Sequence, residues 1–328
     1  MKRAIKYLLI ILPLLLAGEL KAQQLPLYSQ YLMNGFMINP AMAGYDGYTA
    51  FNLTYRQQWL GFPDAPRTYS ASFQSRLFRK SHKIVSNPIN RGNMLIPSTK
   101  GRVGLGGYVL NDANANVGRT GLSFTYAYHI ILDNQQLSFG LAAKVFQYRI
   151  NSDKLYFGKG GDPVLNDLVN VAYVPDADFG VLFNGRDYFV GLSISSLLQS
   201  SITLGSAVPD DFKTYRHYWL MGGYRFKVTR DIELEPGGLF KTPENWTPQA
   251  DLTLRLYYLQ DIWAGLSYRT NNSMIVLVGA RLDNIFFGYS FDWNFSEIGN
   301  YSYGSHEIVI SVKLGDNSRI SKSKGARY

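Results

Sequence analysis

Large apolar residues alternate with small or polar residues along much of this chain. In one clear segment the apolar positions are Leu122, Phe124, Tyr126, Tyr128 and Ile130, and serine, threonine, alanine and histidine stand between them. A two-residue period puts the apolar side chains on one face of a β-strand. The same period returns every ten to twenty residues as far as Leu314. This repetition is typical of a transmembrane β-barrel, whose strands turn one apolar face to lipid.

The alternation predicts about fourteen antiparallel strands in one all-β transmembrane barrel rather than two soluble domains. Aromatic residues make up 15% of the chain, which suits strands with aromatic girdles at both membrane interfaces. One of the strands, 273–281, is apolar on both faces and is the least certain to be a barrel strand. The predicted strands are 48–56, 68–76, 101–110, 120–131, 136–149, 177–184, 187–196, 214–226, 231–240, 248–258, 261–270, 273–281, 284–293 and 305–314.

Charged residues fall on the strand faces opposite the apolar ones. In strand 248–258, Asp251 and Arg255 share the polar face, and we expect them to point into the lumen because charges are costly in lipid. Glu233 and Glu235 lie on a neighbouring strand. Paired acids can perform acid–base chemistry, but mixed charges favour a salt-bridged filling. The same interpretation applies to Lys144, Arg269, Arg281, Asp292 and Glu307.

The N-terminus has the features of an export signal. Lys2, Arg3 and Lys6 precede an apolar core at 7–17, and a small residue, Ala22, stands before a plausible cleavage point. The core is shorter than the roughly 20 residues of a transmembrane helix. We therefore expect residues 1–22 to be a removed signal peptide and the protein to lie in the cell outer membrane. The chain has no cysteine, which excludes a lipid-modified cysteine, disulfides and thiolate metal sites.

Connection lengths predict which end of the barrel faces the periplasm. With a periplasmic start, the short connections fall inside and the longer ones, 151–175, 197–213 and 294–304, fall outside, as in bacterial barrels. The connection 77–100 is the exception, because it is long yet placed inside. It holds five basic and no acidic residues, and the predicted periplasmic tail 315–328 is also basic.

Two interpretations of these basic segments remain open. They are either solvated charge runs or an electrostatic dock for an acidic periplasmic partner. For the second, the candidate contact residues are Arg79, Lys80, Lys83 and Arg91. Nucleic acid is a poor candidate partner in this compartment.

Residues 23–47 precede the first strand and do not alternate. Asn39, Pro40 and Gly44 are turn formers, so we expect an irregular leader packed against or inside the barrel mouth, before a barrel of 48–314. The run YSQYLMNGFMINPAMAGYDG, together with YRQQW at 55–59 and APRTY at 65–69, resembles the start of the PorP/SprF family of type IX secretion system outer-membrane proteins. Within that run we single out Gln30, Tyr31, Asn39, Pro40 and Gly44 as motif residues.

The resemblance implies a non-enzymatic part of a secretion and gliding machine. Its implied partners are periplasmic ring proteins, a peptidoglycan-binding linker and the C-terminal domain of a large secreted adhesin, besides outer-membrane lipid. Arg56 and Trp59, at the predicted first outer loop, are either contact residues or rim packing. The alternative function is an outer-membrane channel for small solutes, which unit conductance in a planar bilayer would reveal.

An enzymatic function finds little support in the sequence. A hydrolase needs a histidine near a nucleophile and an orienting acid. The histidines His82, His129, His217 and His306 lie in a loop and three separate strands, and no G-x-S-x-G or H-E-x-x-H motif is present. We therefore expect no catalytic residues, no metal site and no cofactor.

Overall fold

The computed structural model describes residues 28–77, 101–132, 135–150, 171–202, 213–270 and 272–314. The predicted signal peptide, the basic connection 78–100 and the predicted periplasmic tail 315–328 lie outside these ranges. The strands within them are β1 (Thr49–Gln57), β2 (Arg67–Arg76), β3 (Val103–Asn114), β4 (Val117–Leu132), β5 (Gln135–Ile150), β6 (Val171–Asn184), β7 (Tyr188–Ser195), β8 (His217–Tyr224), β9 (Phe226–Lys227), β10 (Ile232–Pro243), β11 (Gln249–Tyr258), β12 (Ile262–Arg269), β13 (Ser273–Leu282), β14 (Ile285–Asn294) and β15 (Ser305–Leu314).

The strands form one closed antiparallel barrel in simple meander order. The last strand pairs with the first, with Leu314 opposite Thr49 and His306 opposite Gln57. Both β8 and β9 pair with β10 and are separated only by Arg225, so they count as one barrel strand. The barrel therefore has fourteen strands, as predicted, and closure leaves no unpaired sheet edge.

Burial is inverted relative to a soluble protein. On β4, Leu122 is 57% exposed and Phe124 is 61% exposed, whereas Ser123 between them is 3% exposed. The apolar face thus turns outward to lipid and the polar face turns inward. Asp251 and Arg255 are buried on the lumen side of β11, as predicted. The uncertain strand β13 is also a barrel strand.

One predicted boundary was wrong by several residues. The strand β6 begins at Val171, although the sequence pattern placed its start at 177, because Pro175 and Asp176 are typical loop residues. Pro175 instead lies opposite Val145 in the ladder. Asp176 is 4% exposed and accepts the backbone N–H of Ala177 at 2.8 Å, so it belongs to a strand and not to an outer loop.

The two ends of the barrel differ in their connections. The end where β1 begins and β15 finishes, here called the terminal rim, carries the short connections 185–187, 228–231, 259–261 and 283–284. The opposite end, the loop rim, carries 58–66, 196–216, 244–248 and 295–304. The terminal rim is the one that the sequence predicts to face the periplasm. In the described part of the chain, no helix has both the length and the apolar character needed to cross a membrane.

The leader lies inside the barrel. Residues 28–48 contain two short 3₁₀ turns, Gly35–Met37 and Pro40–Met42, and no strand. Their path begins beside residues near the loop rim and ends where β1 starts at the terminal rim. The leader forms the main apolar cluster of the molecule with inward wall residues, in which its own members are Tyr31, Phe36, Ile38, Ala41, Met42 and Ala43. The leader therefore occupies the lumen and not only its mouth.

Candidate functional site: a lumen filled by the leader

A band of small residues crosses the inner wall from β3 to β7. Its members are consecutive partners in the strand register: Gly104, Ala127, Gly140, Gly180 and Ser193. We call this row the small-residue band. A missing or short side chain at the same height in five strands leaves a shallow groove on the wall.

The leader segment 38–43 lies directly on the small-residue band. A Cβ atom at position 140 would lie 2.2 Å from the backbone of Pro40 and Ala41, and one at position 104 would lie 1.9 Å from the carbonyl oxygen of Ala43. Real Cβ atoms do not approach backbone this closely, so only glycine allows this contact. The backbone of the leader is therefore seated by steric fit.

Asn39 fixes the leader to the wall by hydrogen bonds. Its side-chain oxygen accepts the backbone N–H of Ala41 at 2.9 Å and so caps the second 3₁₀ turn. Its amide nitrogen donates to the carbonyl oxygens of Val181 and Leu192 at 3.1 and 3.2 Å. A Cβ atom at Gly180 would fall 2.1 Å from the Asn39 oxygen. The asparagine thus satisfies leader and wall together in a fully buried position.

The facing wall, formed by β11 to β15 and β1, carries charged side chains instead of small ones. Arg56 lies 2.6 Å from Asp292 and 3.0 Å from Glu307, and all three side chains are at most 2% exposed. Ser29 donates its backbone N–H to Glu307 at 2.8 Å and its hydroxyl to Asp292 at 2.7 Å. Gln30 donates its backbone N–H to Glu307 at 3.0 Å. We call Arg56, Asp292 and Glu307, with the bound Ser29 and Gln30, the charged latch.

Further ion pairs line the same side of the lumen. Arg269 binds Asp251 at 2.8 Å and lies 3.4 Å from Asp292, which extends the charged latch around the wall. Arg255 lies 2.6 Å from Glu235. On the other side Lys144 lies 2.5 Å from Asp178. These pairs match the predicted salt-bridged filling, because each carboxylate is held by a cation and not by a second acid.

The buried His129 forms hydrogen bonds within the wall and to the leader. The ring of His129 lies 3.0 Å from the carbonyl oxygen of Ala43 and 2.8 Å from the hydroxyl of Ser138. Because a carbonyl can only accept, Nε2 carries the proton and Nδ1 accepts from the serine. Serine and histidine side chains within this distance are also found in hydrolases. Here both are 0% exposed and covered by the leader, so their arrangement supports packing.

The structure separates the predicted site residues into the motif residues, the basic residues of the connection, and the pair Arg56 and Trp59. All five motif residues, Gln30, Tyr31, Asn39, Pro40 and Gly44, are buried in the lumen. Gly44 also needs glycine conformationally, since its φ is +67° and a Cβ would lie 2.8 Å from the backbone of β2. The basic residues Arg79, Lys80, Lys83 and Arg91 lie outside the described residues.

Arg56 and Trp59 are placed differently from each other. Arg56 is not in the first outer loop but inside β1, because its position in the alternation turns it to the lumen acids. Trp59 does lie in the loop-rim connection, half-buried, and its backbone N–H donates to the Ser305 hydroxyl at 3.1 Å.

Sequence reasoning missed the partners of the leader. It treated Asp292 and Glu307 as filling between strands and gave Ser29 no role. It gave the wall glycines no role towards the leader, whereas Gly104 and Gly140 make room for the leader backbone and Gly180 makes room for the Asn39 side chain. The signal was available in principle, as small residues on the inward phase of five successive predicted strands. Within the described ranges, no group of three or more histidine or acidic side chains could hold a metal ion.

The comparisons with known proteins give several structural likenesses and one family match. Solved structures that resemble the chain include Omp33 of Acinetobacter baumannii (TM-score 0.44, 6% identity, 81% of this chain and 98% of that chain). Others are the KdgM porin (0.36, 10%, 80% and 98%) and BamA from Haemophilus ducreyi lacking POTRA domains 1–3 (0.40, 8%, 81% and 70%). No curated protein sequence matches the chain significantly.

The family model described as type IX secretion system membrane protein PorP/SprF matches residues 20–312. That match includes the leader and every barrel strand, and it stops two residues before the end of β15. The chain therefore belongs to the PorP/SprF family of type IX secretion system outer-membrane proteins.

Proposed function

We propose that this protein is a closed docking barrel of the type IX machine. It binds periplasmic ring proteins or a peptidoglycan-linked partner at its terminal rim. At its loop rim it assists the export or surface anchoring of a large adhesin by contacting the adhesin's C-terminal domain. Family membership supports a role in the type IX machine. The observation that favours docking over the channel alternative is that the leader fills the lumen.

The leader contacts opposite walls of the barrel at the same time. Asn39 and its neighbours bind the small-residue band, Tyr31 donates its hydroxyl to Thr253 on β11 at 3.1 Å, and Met33 packs against Gly288 on β14. A solute channel needs a hydrated path, whereas this lumen is crossed by a chain that is hydrogen-bonded on both sides. A filled interior gives a rigid barrel whose two rims offer fixed surfaces, which suits docking.

The loop rim offers an aromatic surface for the adhesin. Connections 58–66 and 295–304 are tied together, since Leu60 donates its backbone N–H to Gly304 at 2.8 Å and Tyr303 donates to Leu60 at 2.7 Å. On this joined edge Tyr301 and Tyr303 are 76% and 77% exposed. Exposed aromatic side chains supply large contact area at interfaces. We assign this edge, with Trp59 at its base, to adhesin contact.

The test is recovery of partners from the native outer membrane in mild detergent, identified by mass spectrometry. We expect periplasmic ring or peptidoglycan-linked proteins and a large adhesin with the wild-type protein. Changing Arg79, Lys80, Lys83 and Arg91 together to Gln should remove the periplasmic set only. A matched control changes Arg67 and Arg149, exposed arginines near the loop rim, to Gln and should keep that set.

A second variant separates the adhesin surface. Tyr301→Ser with Tyr303→Ser should lower adhesin recovery and leave the periplasmic proteins bound. If the purified wild-type protein instead comes out alone and shows unit conductance in a planar bilayer, the docking proposal fails and the channel replaces it.

The orientation of the barrel can be tested directly, because the chain has no cysteine. Trp246→Cys places a thiol on an exposed loop-rim residue, and Asp187→Cys places one at the terminal rim. A membrane-impermeant maleimide should label Trp246→Cys in intact cells and Asp187→Cys only after the outer membrane is permeabilised. The reverse labelling would place the docking surfaces on the wrong sides.

A further inference from the structure

A cavity of about 410 Å³ opens at the terminal rim between the leader and the barrel wall. We call it the vestibule. Its floor is formed by apolar leader residues that include Leu32, Met33 and Phe36. Its wall is formed by residues from β6 round to β15, with one residue each from β1 and β2. Pockets that bind ligands range from roughly 300 to 1,000 Å³ and combine an apolar lining with a few polar groups. The vestibule has the size and the layered chemistry of a binding pocket.

The lining of the vestibule carries excess positive charge. Its basic lining residues are Arg186, Arg225, Arg255, Arg281 and Lys313, and its acidic ones are Asp46, Asp187 and Glu235. Arg225 and Arg255 both bind Glu235, at 2.5 and 2.6 Å. Despite those bonds the Arg225 side chain is 42% exposed, and Arg186 is exposed in the turn 185–187. Cations therefore stand at the entrance and apolar groups at the base.

The charge of the vestibule does not suit an occupant from this chain itself. Leu77 and Leu314, the last described residues before the basic connection and the tail, both lie at the terminal rim. The connection has five basic and no acidic residues, and the tail has four basic and one acidic residue. Like charges repel, so both segments would be disfavoured in a pocket with a basic entrance.

We propose that the vestibule binds a short acidic peptide segment of a partner protein, with one apolar side chain seated on the leader floor. This inference rests on the proposed docking function and names the chemistry of the partner at the terminal rim. An apolar anchor in a pocket supplies affinity, while the charged entrance sets the association rate and excludes basic segments. Contact with the floor would also make the leader part of the docking surface.

The first experiment measures fluorescence anisotropy of a labelled hexapeptide of alternating acidic and phenylalanine residues with the full-length protein in nanodiscs. A peptide with lysines in place of the acids is the charge control. We expect saturable binding of the acidic peptide, at least about tenfold weaker binding of the basic one, and weaker binding as salt rises from about 0.1 M to about 1 M, where screening shortens from about 10 Å to about 3 Å.

Variants assign that binding to the vestibule. Arg186→Glu reverses an exposed charge at the entrance and should weaken the acidic peptide about tenfold, whereas Arg67→Glu at the opposite rim should not. Asp187→Cys removes an acid and should bind at least as well as wild type until a bulky maleimide occupies the entrance, which should abolish binding. The same modification of Trp246→Cys should have no effect.

Several outcomes overturn the inference. These are equal binding of acidic and basic peptides, no saturable binding, or equal losses for Arg186→Glu and Arg67→Glu. The partner recovery described above is independent of this pocket. If periplasmic partners are recovered and survive the maleimide block at Asp187→Cys, the vestibule inference fails while the docking function stands. If no partner is recovered, the docking function fails first.

Discussion

The two walls of the lumen hold the same leader by different physics. The small-residue band of β3 to β7 works by shape, because absent side chains let backbone meet backbone. The charged latch works by electrostatics, because Glu307 accepts two leader N–H groups, Asp292 accepts the Ser29 hydroxyl, and Arg56 forms ion pairs with both carboxylates. An added side chain would disrupt the small-residue band, whereas a removed charge would disrupt the charged latch. The two walls are therefore expected to respond to opposite kinds of substitution.

The largest effect is expected from filling the band. Gly140→Leu places a side chain where a Cβ alone would lie 2.2 Å from the leader backbone. The leader must leave the band, so we expect protease cleavage within the leader, a measurable ion conductance in planar bilayers, and a loss of more than about 3 kcal/mol in the free energy of unfolding.

A glycine in open space is the control for this change. At Gly118 the nearest atoms to a Cβ are 3.9 Å away, so Gly118→Leu should leave all three readouts close to wild type. If the leader of Gly140→Leu stays protected and the barrel stays closed, steric fit does not seat the leader.

Breaking the charged latch should have the next largest effect. Arg56→Leu leaves Glu307 without its cation in a fully buried position, and a lost partner of a buried pair costs about 3–5 kcal/mol. Denaturant titration followed by tryptophan fluorescence measures this loss. Arg67→Leu, which removes an exposed arginine, should change stability by less than about 0.5 kcal/mol.

A double variant sharpens the interpretation. Arg56→Leu with Glu307→Leu removes both charges and should recover part of the lost free energy of unfolding, because neither member of that ion pair remains as an unpaired buried charge. A double variant that is as unstable as the sum of its parts would show that the latch acts through shape and not through charge.

The smallest effect is expected where the leader is held by neutral hydrogen bonds. Asn39→Ala removes one turn cap and two bonds to wall carbonyls, which should lower the free energy of unfolding by about 1–3 kcal/mol. Asn39→Asp keeps the acceptor for Ala41 but loses the donors, so it should not restore wild-type stability. Equal stability of Asn39→Asp and wild type in the same titration would contradict the role of the wall carbonyls.

Most of the barrel could be predicted from the sequence, because lipid imposes a strict two-residue period on each strand. All fourteen strands were predicted, and even β13, apolar on both faces, was confirmed. The start of β6 was missed because Pro175 and Asp176 look like loop residues when the partner strand is unknown. Opposite Val145, and with Asp176 accepting local N–H groups, they are accommodated in the ladder.

The candidate site was only half predictable. The motif residues of the leader stood out as turn formers without alternation, and the lumen charges stood out as costly in lipid. Which wall residue meets which leader residue could not be read, because those contacts join positions up to 278 residues apart, as between Ser29 and Glu307. The sequence placed Arg56 at the first outer loop, whereas it lies near the end of β1, where a shift of one or two residues separates a loop contact from a lumen side chain.

The sequence by itself determined the membrane barrel, its strand number and which side chains face lipid, since these follow from local periodicity and the cost of charge in an apolar medium. Only the tertiary structure decided that the leader fills the lumen, that glycines of separate strands align into one band, and that the terminal rim encloses a basic pocket. Barrel closure brings distant residues to the same height and face. No local pattern specifies that alignment, because it depends on the register of all strands together.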